Sequence, residues 1–200
     1  MKVIGITGGI GTGKSTVSNY LRQKGCLIID ADDISRKMTG KGGEALESIR
    51  EAFGNGIFFD DGSLNRKKLG EIVFSDPIKL QILERITTEV VVKKITNTLE
   101  ELKNNKFGGV VVIDAPLLFE CGMENIADEN WLVSADMNIR VSRIMERDGL
   151  SEQKIIERIN SQMPEDEKKK LADIFLNNSG SIESLYGQID RLIERVDYEK

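Results

Sequence analysis

The segment Gly8–Thr16, which reads GGIGTGKST, constrains the fold of this chain more than any other part of the sequence. It contains the pattern Gly-x-x-x-x-Gly-Lys-Ser, in which glycines let backbone N–H groups surround phosphate oxygens. Residues 3–6 are apolar and predict a short buried strand, and apolar residues recur at helical spacing from position 17. A glycine-rich turn with an incidental Lys-Ser would not need this flanking strand and helix. The segment therefore predicts a nucleoside triphosphate site.

Two residues of this motif have predicted roles in binding the triphosphate. Lys14 is expected to reach the β- and γ-phosphates, and the hydroxyl of Ser15 is expected to hold Mg²⁺. The N-terminus of the following helix adds partial positive charge at the same place. The loop thus predicts where a triphosphate and its metal bind, but it does not identify what receives the phosphoryl group.

The composition limits the kinds of molecule that this chain is expected to bind. It has 200 residues, a net charge of −5 and a pI near 5.1, which argue against a general nucleic-acid or anionic-membrane binder. No apolar run approaches the roughly 20 residues of a membrane span, and the start MKVIGIT does not resemble a signal peptide. We expect Cys26 and Cys121 to be free thiols in a reducing cytosol. The expectation is a cytoplasmic protein, with a monomer favoured and an oligomer as the alternative.

The sequence contains no histidine. A general base must therefore be a carboxylate or, failing that, a lysine, tyrosine or cysteine, and zinc sites that depend on histidine are excluded. Carboxylates at the ends of predicted strands become the first candidates.

Short apolar segments alternate with helical patterns, which predicts an α/β fold with three layers and a parallel sheet. The predicted strands are Val3–Thr7, Cys26–Asp30, Val110–Asp114, Trp131–Ser134 and Ile174–Leu176. Two helical stretches interrupt this alternation, and Pro77 is expected to open a helix in the first. We predict a nucleotide-binding core of residues 1–33, 105–137 and 166–200, a helical acceptor-binding region of residues 34–104 and a helical lid of residues 138–165.

Carboxylates follow two of the predicted strands. Asp30-Ala31-Asp32 ends the second strand, and ligands of open parallel sheets bind beyond the carboxyl ends of the strands. Asp32 is the better candidate for the base, because Asp30 lies closer to the strand and is expected to be structural. The alternative is that Asp32 or Asp33 caps the next helix. Asp114 resembles a metal-binding aspartate after a strand, but it is equally typical of a turn.

Arginines offer the positive charge that phosphoryl transfer needs. Arg140, Arg143 and Arg147 share one face of a predicted helix, where a solvated surface is the ordinary explanation. Beside a triphosphate site in an acidic protein, we favour arginines that neutralise the transferred phosphoryl group from a lid. Arg66 stands alone in the helical region, where contact with an anionic acceptor and simple surface exposure are both open.

An ordered set of motifs from about residue 5 to residue 181 resembles the dephospho-coenzyme A kinase family. The matching segments are Gly8–Thr16, Asp30-Ala31-Asp32 with Arg36, Leu64-Asn65-Arg66 with Leu69, Val73-Phe74, Ala115–Glu120, Arg143 with Arg147–Ser151, Arg158-Ile159 with Gln162, and Asn178-Ser179-Gly180. The chain departs from the family at Thr88-Glu89, where His-Pro is common, and at Arg140, where glutamine is usual. Asp114 is not uniform in the family.

The resemblance implies transfer of the γ-phosphoryl group of ATP to the ribose 3′-hydroxyl of dephospho-coenzyme A, the last step of coenzyme A synthesis. It implies that Asp32 is the catalytic carboxylate and contacts the acceptor with Arg66, and that Lys14 and Arg143 are catalytic. The implied ATP contacts are Gly11, Thr12, Gly13, Lys14, Ser15, Thr16 and Arg147, with Mg²⁺ on Ser15. The alternatives are a kinase of another small metabolite, such as a nucleoside or nucleotide, and a regulatory nucleotide-hydrolysing switch. The Asn-Lys-x-Asp motif typical of guanine-specific switches is missing from the sequence.

Overall fold

The computed structural model describes residues 1–198, which divide into two compact units. Met1–Ile29 with Lys106–Lys200 is called the sheet unit below, and Asp30–Asn105 is called the helical unit. No helix among the described residues is both long enough and apolar enough to cross a membrane.

Five strands of the described chain form one sheet in the order β2-β3-β1-β4-β5. They are β1 (Lys2–Thr7), β2 (Leu27–Asp30), β3 (Val110–Asp114), β4 (Glu129–Ser134) and β5 (Ile174–Asn177). β1 pairs in parallel with β3 and β4, and β4 pairs in parallel with β5. All five predicted strands are therefore confirmed, with ends that differ by at most two residues, and the α/β fold class is confirmed with them.

Helices connect these strands. Their bounds are α1 (Lys14–Gln23), α2 (Ala31–Met38), α3 (Leu46–Phe53), α4 (Arg66–Phe74), α5 (Pro77–Asn104), α6 (Met137–Asp148), α7 (Glu152–Asn160), α8 (Glu165–Leu171) and α9 (Ile182–Tyr198). The helix predicted to open at Pro77 is confirmed, since Pro77 is the first residue of α5 and Asp76 caps it by accepting from the Ile78 and Lys79 amides.

The core of the sheet unit packs α1 and α9 against the strands. Val17 and Leu21 of α1, together with Leu185 and Ile189 of α9, are fully buried against residues of β1, β3 and β4. Trp131 of β4 lies in the same cluster and is also fully buried. This packing fixes the start of α1, and therefore the loop that precedes it, relative to the carboxyl end of β1.

The helical unit has its own smaller core. Ala45 and Ile49 pack with Ile57, Leu69 and Val73, and further apolar side chains of α5 complete the cluster. Residues 34–104 are mostly helical, as predicted, and extended pairing there is limited to one antiparallel bridge between Phe58 and Leu64. The helical unit is therefore compact in its own right, with a core formed within its own residues.

Helices α6 and α7 form a hairpin within the sheet unit. Gly149 ends α6 in the left-handed conformation (φ 65°), which allows the chain to reverse before α7. Val141 and Ile144 of α6 pack against Ile155 and Ile159 of α7. Ile10 of the glycine loop is packed against the same cluster, so the hairpin is anchored to the loop.

Candidate active site

The glycine loop has a backbone that only glycine accommodates well. Gly11 (φ 81°) and Gly13 (φ 88°) are both in the left-handed region. A Cβ on Gly13 would lie 2.1 Å from Nδ2 of Asn178, and one on Gly11 would lie 2.9 Å from the carbonyl oxygen of Arg140. The glycines are thus required both by local conformation and by the segments that pack closely against the loop.

Lys14, the first residue of α1, forms an ion pair with Asp114. Asp114 ends β3 in register with Ile6 of the neighbouring strand β1, which brings its carboxylate to the point where the loop leaves the sheet. Asp114 is buried, with 7% of its surface exposed. The structure therefore gives Asp114 a role as the counter-ion of Lys14, a role that sequence reasoning did not consider.

Ser15 follows Lys14 in the first turn of α1 and is exposed. A hydroxyl here and the carboxylate of Asp114 are oxygen donors, the type of ligand that Mg²⁺ prefers. Within residues 1–198, no three Asp, Glu or Cys side chains cluster as a metal site. This donor set fits a metal that is held mainly by water and phosphate oxygens, as is usual for Mg²⁺ with nucleotides.

The three arginines of α6 have different environments. Arg140 is buried (6% exposed), donates from Nε to the carbonyl oxygen of Ile10 at 3.0 Å and lies 3.5 Å from a carboxylate oxygen of Glu165. Burial lowers the pKa of Arg140, and the charge of Glu165 opposes this shift. Arg140 therefore holds the loop through the backbone carbonyl of Ile10.

Arg143 and Arg147 lie further along the same face of α6. Arg143 donates to the carbonyl oxygen of Asn178 at 3.0 Å, and its other terminal nitrogen lies 3.5 Å from the carbonyl oxygens of Gly11 and Thr12. Arg147 is largely exposed and forms two hydrogen bonds with Asp148, at 2.7 and 2.9 Å, which lower the pKa of that carboxyl. Arg140 and Arg143 therefore both contact the loop, at Ile10 and at Gly11 and Thr12 respectively, while Arg147 pairs with Asp148 at the end of α6.

The three aspartates at the end of β2 and the start of α2 have different contacts. Asp30 caps α2, because its side chain accepts from the Asp33 amide at 2.8 Å. The expectation that Asp30 is structural is confirmed, and the alternative that Asp32 or Asp33 caps this helix is wrong, because α2 begins at Ala31 and both residues lie inside its first turn. Asp33 forms an ion pair with Lys37 at 2.6 Å, whereas Asp32 lies exposed in the first turn of α2.

Arg66 is the first residue of α4 in the helical unit. Its guanidinium donates to Oγ1 of Thr39 at 2.7 Å and to the carbonyl oxygen of Thr39 at 3.2 Å. The residue is exposed, but these two contacts orient it. Asp32 and Arg66 thus share the helical unit, while the loop, Arg143 and Arg147 share the sheet unit.

Sequence reasoning gave no role to Asn178 or Gln162, although both lie in the matched motifs. Asn178 is buried and donates to the carbonyl oxygen of Thr12 at 2.8 Å, while Gln162 accepts from the Ile10 amide at 2.8 Å. Asn178 directly follows β5, and the carboxyl ends of parallel strands meet at one edge of a sheet, so its position was a usable signal. Gln162 follows a helix and carried no comparable signal.

Comparison with known proteins identifies the family of this chain. The family model for dephospho-CoA kinase (CoaE) matches residues 2–184. The chain is 42% identical over 195 residues to a dephospho-CoA kinase of Carboxydothermus hydrogenoformans, covering 98% of this chain and 94% of that protein. It is also 42% identical over 196 residues to that of Listeria innocua, covering 97% and 96%.

A solved structure of a dephospho-CoA kinase also resembles this chain in its fold. The dephospho-CoA kinase of Campylobacter jejuni superposes with a TM-score of 0.71 at 30% identity, covering 98% of both chains. The family match, the sequence relatives and this structure all span nearly the whole chain. The chain belongs to the dephospho-CoA kinase family.

Proposed function

We propose a residue-level mechanism for ATP-dependent phosphorylation of dephospho-coenzyme A, the final step of coenzyme A synthesis and the reaction of this chain's family. The carboxylate of Asp32 accepts the proton of the ribose 3′-hydroxyl. The 3′-oxygen forms a bond to the γ-phosphorus of ATP, the bond from that phosphorus to the β–γ bridging oxygen breaks, and ADP leaves. Asp32 and Arg66 contact the acceptor.

The loop and the arginines of α6 hold the donor in this proposal. Backbone N–H groups of Gly11–Thr16 surround the phosphates, and Lys14 exchanges its ion pair with Asp114 for the β- and γ-phosphates. Arg143 supplies positive charge from its position beside Gly11 and Thr12, and Arg147 adds charge from the end of α6. Ser15 would hold Mg²⁺, which when bound neutralises phosphate charge.

The observation that carries the role of Asp32 is that Asp30 occupies the capping position of α2. Capping was the main structural explanation for an aspartate at this place, and Asp30 already fulfils it. Asp32 lies exposed in the first turn of α2, directly after the carboxyl end of β2. Ligands of open parallel sheets bind beyond the carboxyl ends of the strands. In a chain without histidine, a carboxylate here is the available base.

Substitution of Asp32 by asparagine tests this role. We expect Asp32→Asn to lower kcat for dephospho-coenzyme A by about 10²- to 10⁴-fold, the usual contribution of a general base, while ATP still binds. Asp33→Asn is the matched control and should retain most activity, because Asp33 pairs with Lys37. An ADP-release assay with and without acceptor measures both, and turnover of Asp32→Asn at the rate of the unsubstituted protein would refute the assignment.

An acceptor panel separates the alternatives. Phosphorylation of dephospho-coenzyme A should far exceed that of nucleosides and nucleoside monophosphates. A switch would instead hydrolyse ATP at a rate that no acceptor raises. We further propose that residues 138–165 act as a lid, that residues 34–104 bind the acceptor and that the protein works as a cytoplasmic monomer.

A further inference from the structure

Ile10, at the tip of the glycine loop, has both of its backbone polar groups bound by side chains from the α6–α8 region. Its N–H donates to Oε1 of Gln162 at 2.8 Å, and its carbonyl oxygen accepts from Nε of Arg140 at 3.0 Å. These partners lie 152 and 130 residues away in the sequence. The shape of the loop at this point is therefore determined by side chains outside it.

We propose that Gln162, Arg140 and Glu165 form a clamp that holds the loop in its phosphate-binding shape, so that they are positioning residues for ATP. The inference rests on the proposed nucleotide role of the loop. The three residues act through the backbone of Ile10 and do not themselves need to touch the nucleotide.

Glu165 connects the clamp to the sheet. Its carboxylate lies 3.5 Å from Arg140, accepts from the hydroxyl of Ser134 at 2.6 Å and pairs with Lys169 at 3.2 Å. Ser134 is the last residue of β4, which pairs directly with β1, the strand that leads into the loop. Arg140 is thus held between the loop and the adjacent strand by a charged partner.

The burial of Arg140 indicates a specific role. A guanidinium that is only 6% exposed loses most of its hydration, and this loss is costly unless hydrogen bonds and an opposite charge compensate. Both compensating partners are present, one in the loop and one in Glu165. Such a pair contributes little net stability compared with apolar packing, so the feature that matters here is that the two contacts hold the guanidinium beside Ile10.

Gly9 shows how closely the clamp approaches the loop. A Cβ at this position would lie 2.6 Å from a terminal nitrogen of Arg140 and 3.3 Å from Oε1 of Gln162. A side chain at position 9 would therefore have to displace the Arg140 guanidinium from the clamp, whereas Gly11 and Gly13 also have a left-handed backbone.

The clamp has a defined kinetic consequence. A preformed loop binds the phosphates without first being ordered, so loosening the clamp weakens ATP binding. Because the loop contacts the donor in both the ground state and the transition state, the KM for ATP should rise more than kcat falls. The KM for the acceptor should not change.

Substitutions at Gln162 provide the test. Gln162→Leu keeps the size of the side chain but leaves the Ile10 amide without its acceptor, and we expect about a tenfold rise in the Kd and KM for ATP. Gln162→Glu retains an acceptor oxygen and should stay within about threefold of the unsubstituted protein. Gln153→Leu makes the same change at an exposed position of α7, where the side chain of Gln153 donates to Glu157 on the same helix, and should have no effect.

Three measurements distinguish a positioning role from a structural one. Calorimetric titration with ATP gives Kd without acceptor, so failure of the proposed acceptor chemistry would not affect it. Hydrogen exchange of the Ile10 amide should accelerate in Gln162→Leu but not in Gln162→Glu. Steady-state kinetics should show a change confined to ATP.

The outcomes decide the proposal. An unchanged ATP Kd in Gln162→Leu, or equal losses for Gln162→Leu and Gln162→Glu, would overturn it. If Gln162→Leu does not fold, Glu165→Gln serves instead, since it keeps the shape of the side chain and removes the charge opposite Arg140. In Glu165→Gln, a rise in the ATP Kd of about threefold or more with an unchanged acceptor KM supports the clamp. An unchanged ATP Kd in Glu165→Gln refutes it.

Discussion

The sheet unit and the helical unit hold their candidate functional residues in different ways. In the sheet unit, Ile10 and Thr12 of the loop are held by Arg140, Gln162 and Asn178, which are 130 to 166 residues away in sequence. In the helical unit, Arg66 is oriented by Thr39, 27 residues away, and Asp32 lies in a helix whose cap is Asp30. The loop depends on tertiary packing, whereas the acceptor candidates depend on contacts within a short stretch of chain.

This difference suggests how each unit responds to substitution. A change in the interior of the sheet unit should lower overall stability, because several distant segments meet there. A change near Asp32 or Arg66 should alter acceptor binding with little effect on stability or on ATP binding. If a substitution near Asp32 or Arg66 weakened ATP binding, the two units would be more strongly coupled than their internal contacts indicate.

The largest expected effect on stability comes from Lys168 of α8. Its side chain is 2% exposed, its ammonium group lies 2.7 Å from a carboxylate oxygen of Glu120, and it also donates to the carbonyl oxygen of Pro116 at 3.3 Å. Lys168→Ala leaves a partly buried carboxylate without its counter-ion. We expect the free energy of unfolding to fall by about 3 kcal/mol, measured by urea denaturation.

Lys170 is the matched control in the same helix. Its side chain is 68% exposed and pairs with Glu167 at the surface, so Lys170→Ala should change the free energy of unfolding by less than about 0.5 kcal/mol. Equal effects of the two substitutions would mean that burial of Lys168 does not contribute to the stability of the sheet unit.

Periodicity and motif order predicted much of the fold. The three central strands, β1, β3 and β4, are almost completely buried apolar runs, and such runs are recognisable because parallel strands inside a sheet are buried on both faces. The start of β4 was placed at Trp131, although it lies at Glu129, because Glu129 and Asn130 are polar and gave no strand signal. Two of their contacts depend on the tertiary structure: the Asn130 backbone amide donates to the carboxylate of Asp173 at 2.7 Å, and Glu129 pairs with Arg195.

The site was less completely predictable than the fold. The loop is recognisable in the sequence because its residues are consecutive. Arg143 lies beside it, while the catalytic role indicated by its helical face stays a prediction. Arg140 has the same residue type on the same face, but it is buried against Ile10, and no spacing rule distinguishes the two. The Lys14–Asp114 pair depends on which strand lies next to β1, and strand order is a tertiary property.

Arg66 should show the next largest effect, on acceptor binding. Arg66→Ala removes an oriented charge, and we expect the KM for dephospho-coenzyme A to rise about tenfold or more, since hydrogen bonds to charged groups contribute about 1.5–3 kcal/mol. The Kd for ATP and the thermal midpoint should remain unchanged. Lys67→Ala, at the exposed neighbouring position, is the control for a general loss of positive charge. A rise in the ATP Kd instead would contradict the division between the units.

The smallest effect is expected at Asn65, which caps the helix that begins with Arg66. Asn65 accepts from the Lys68 amide at 3.0 Å, and loss of such a cap costs about 1 kcal/mol. Asn65→Ala should therefore let the first turn of α4 fray, raising the acceptor KM by a few-fold, less than Arg66→Ala. Asn65→Asp keeps a capping oxygen and should preserve KM. If Asn65→Ala left the acceptor KM unchanged while Arg66→Ala raised it, the contacts with Thr39 alone would be sufficient to position Arg66.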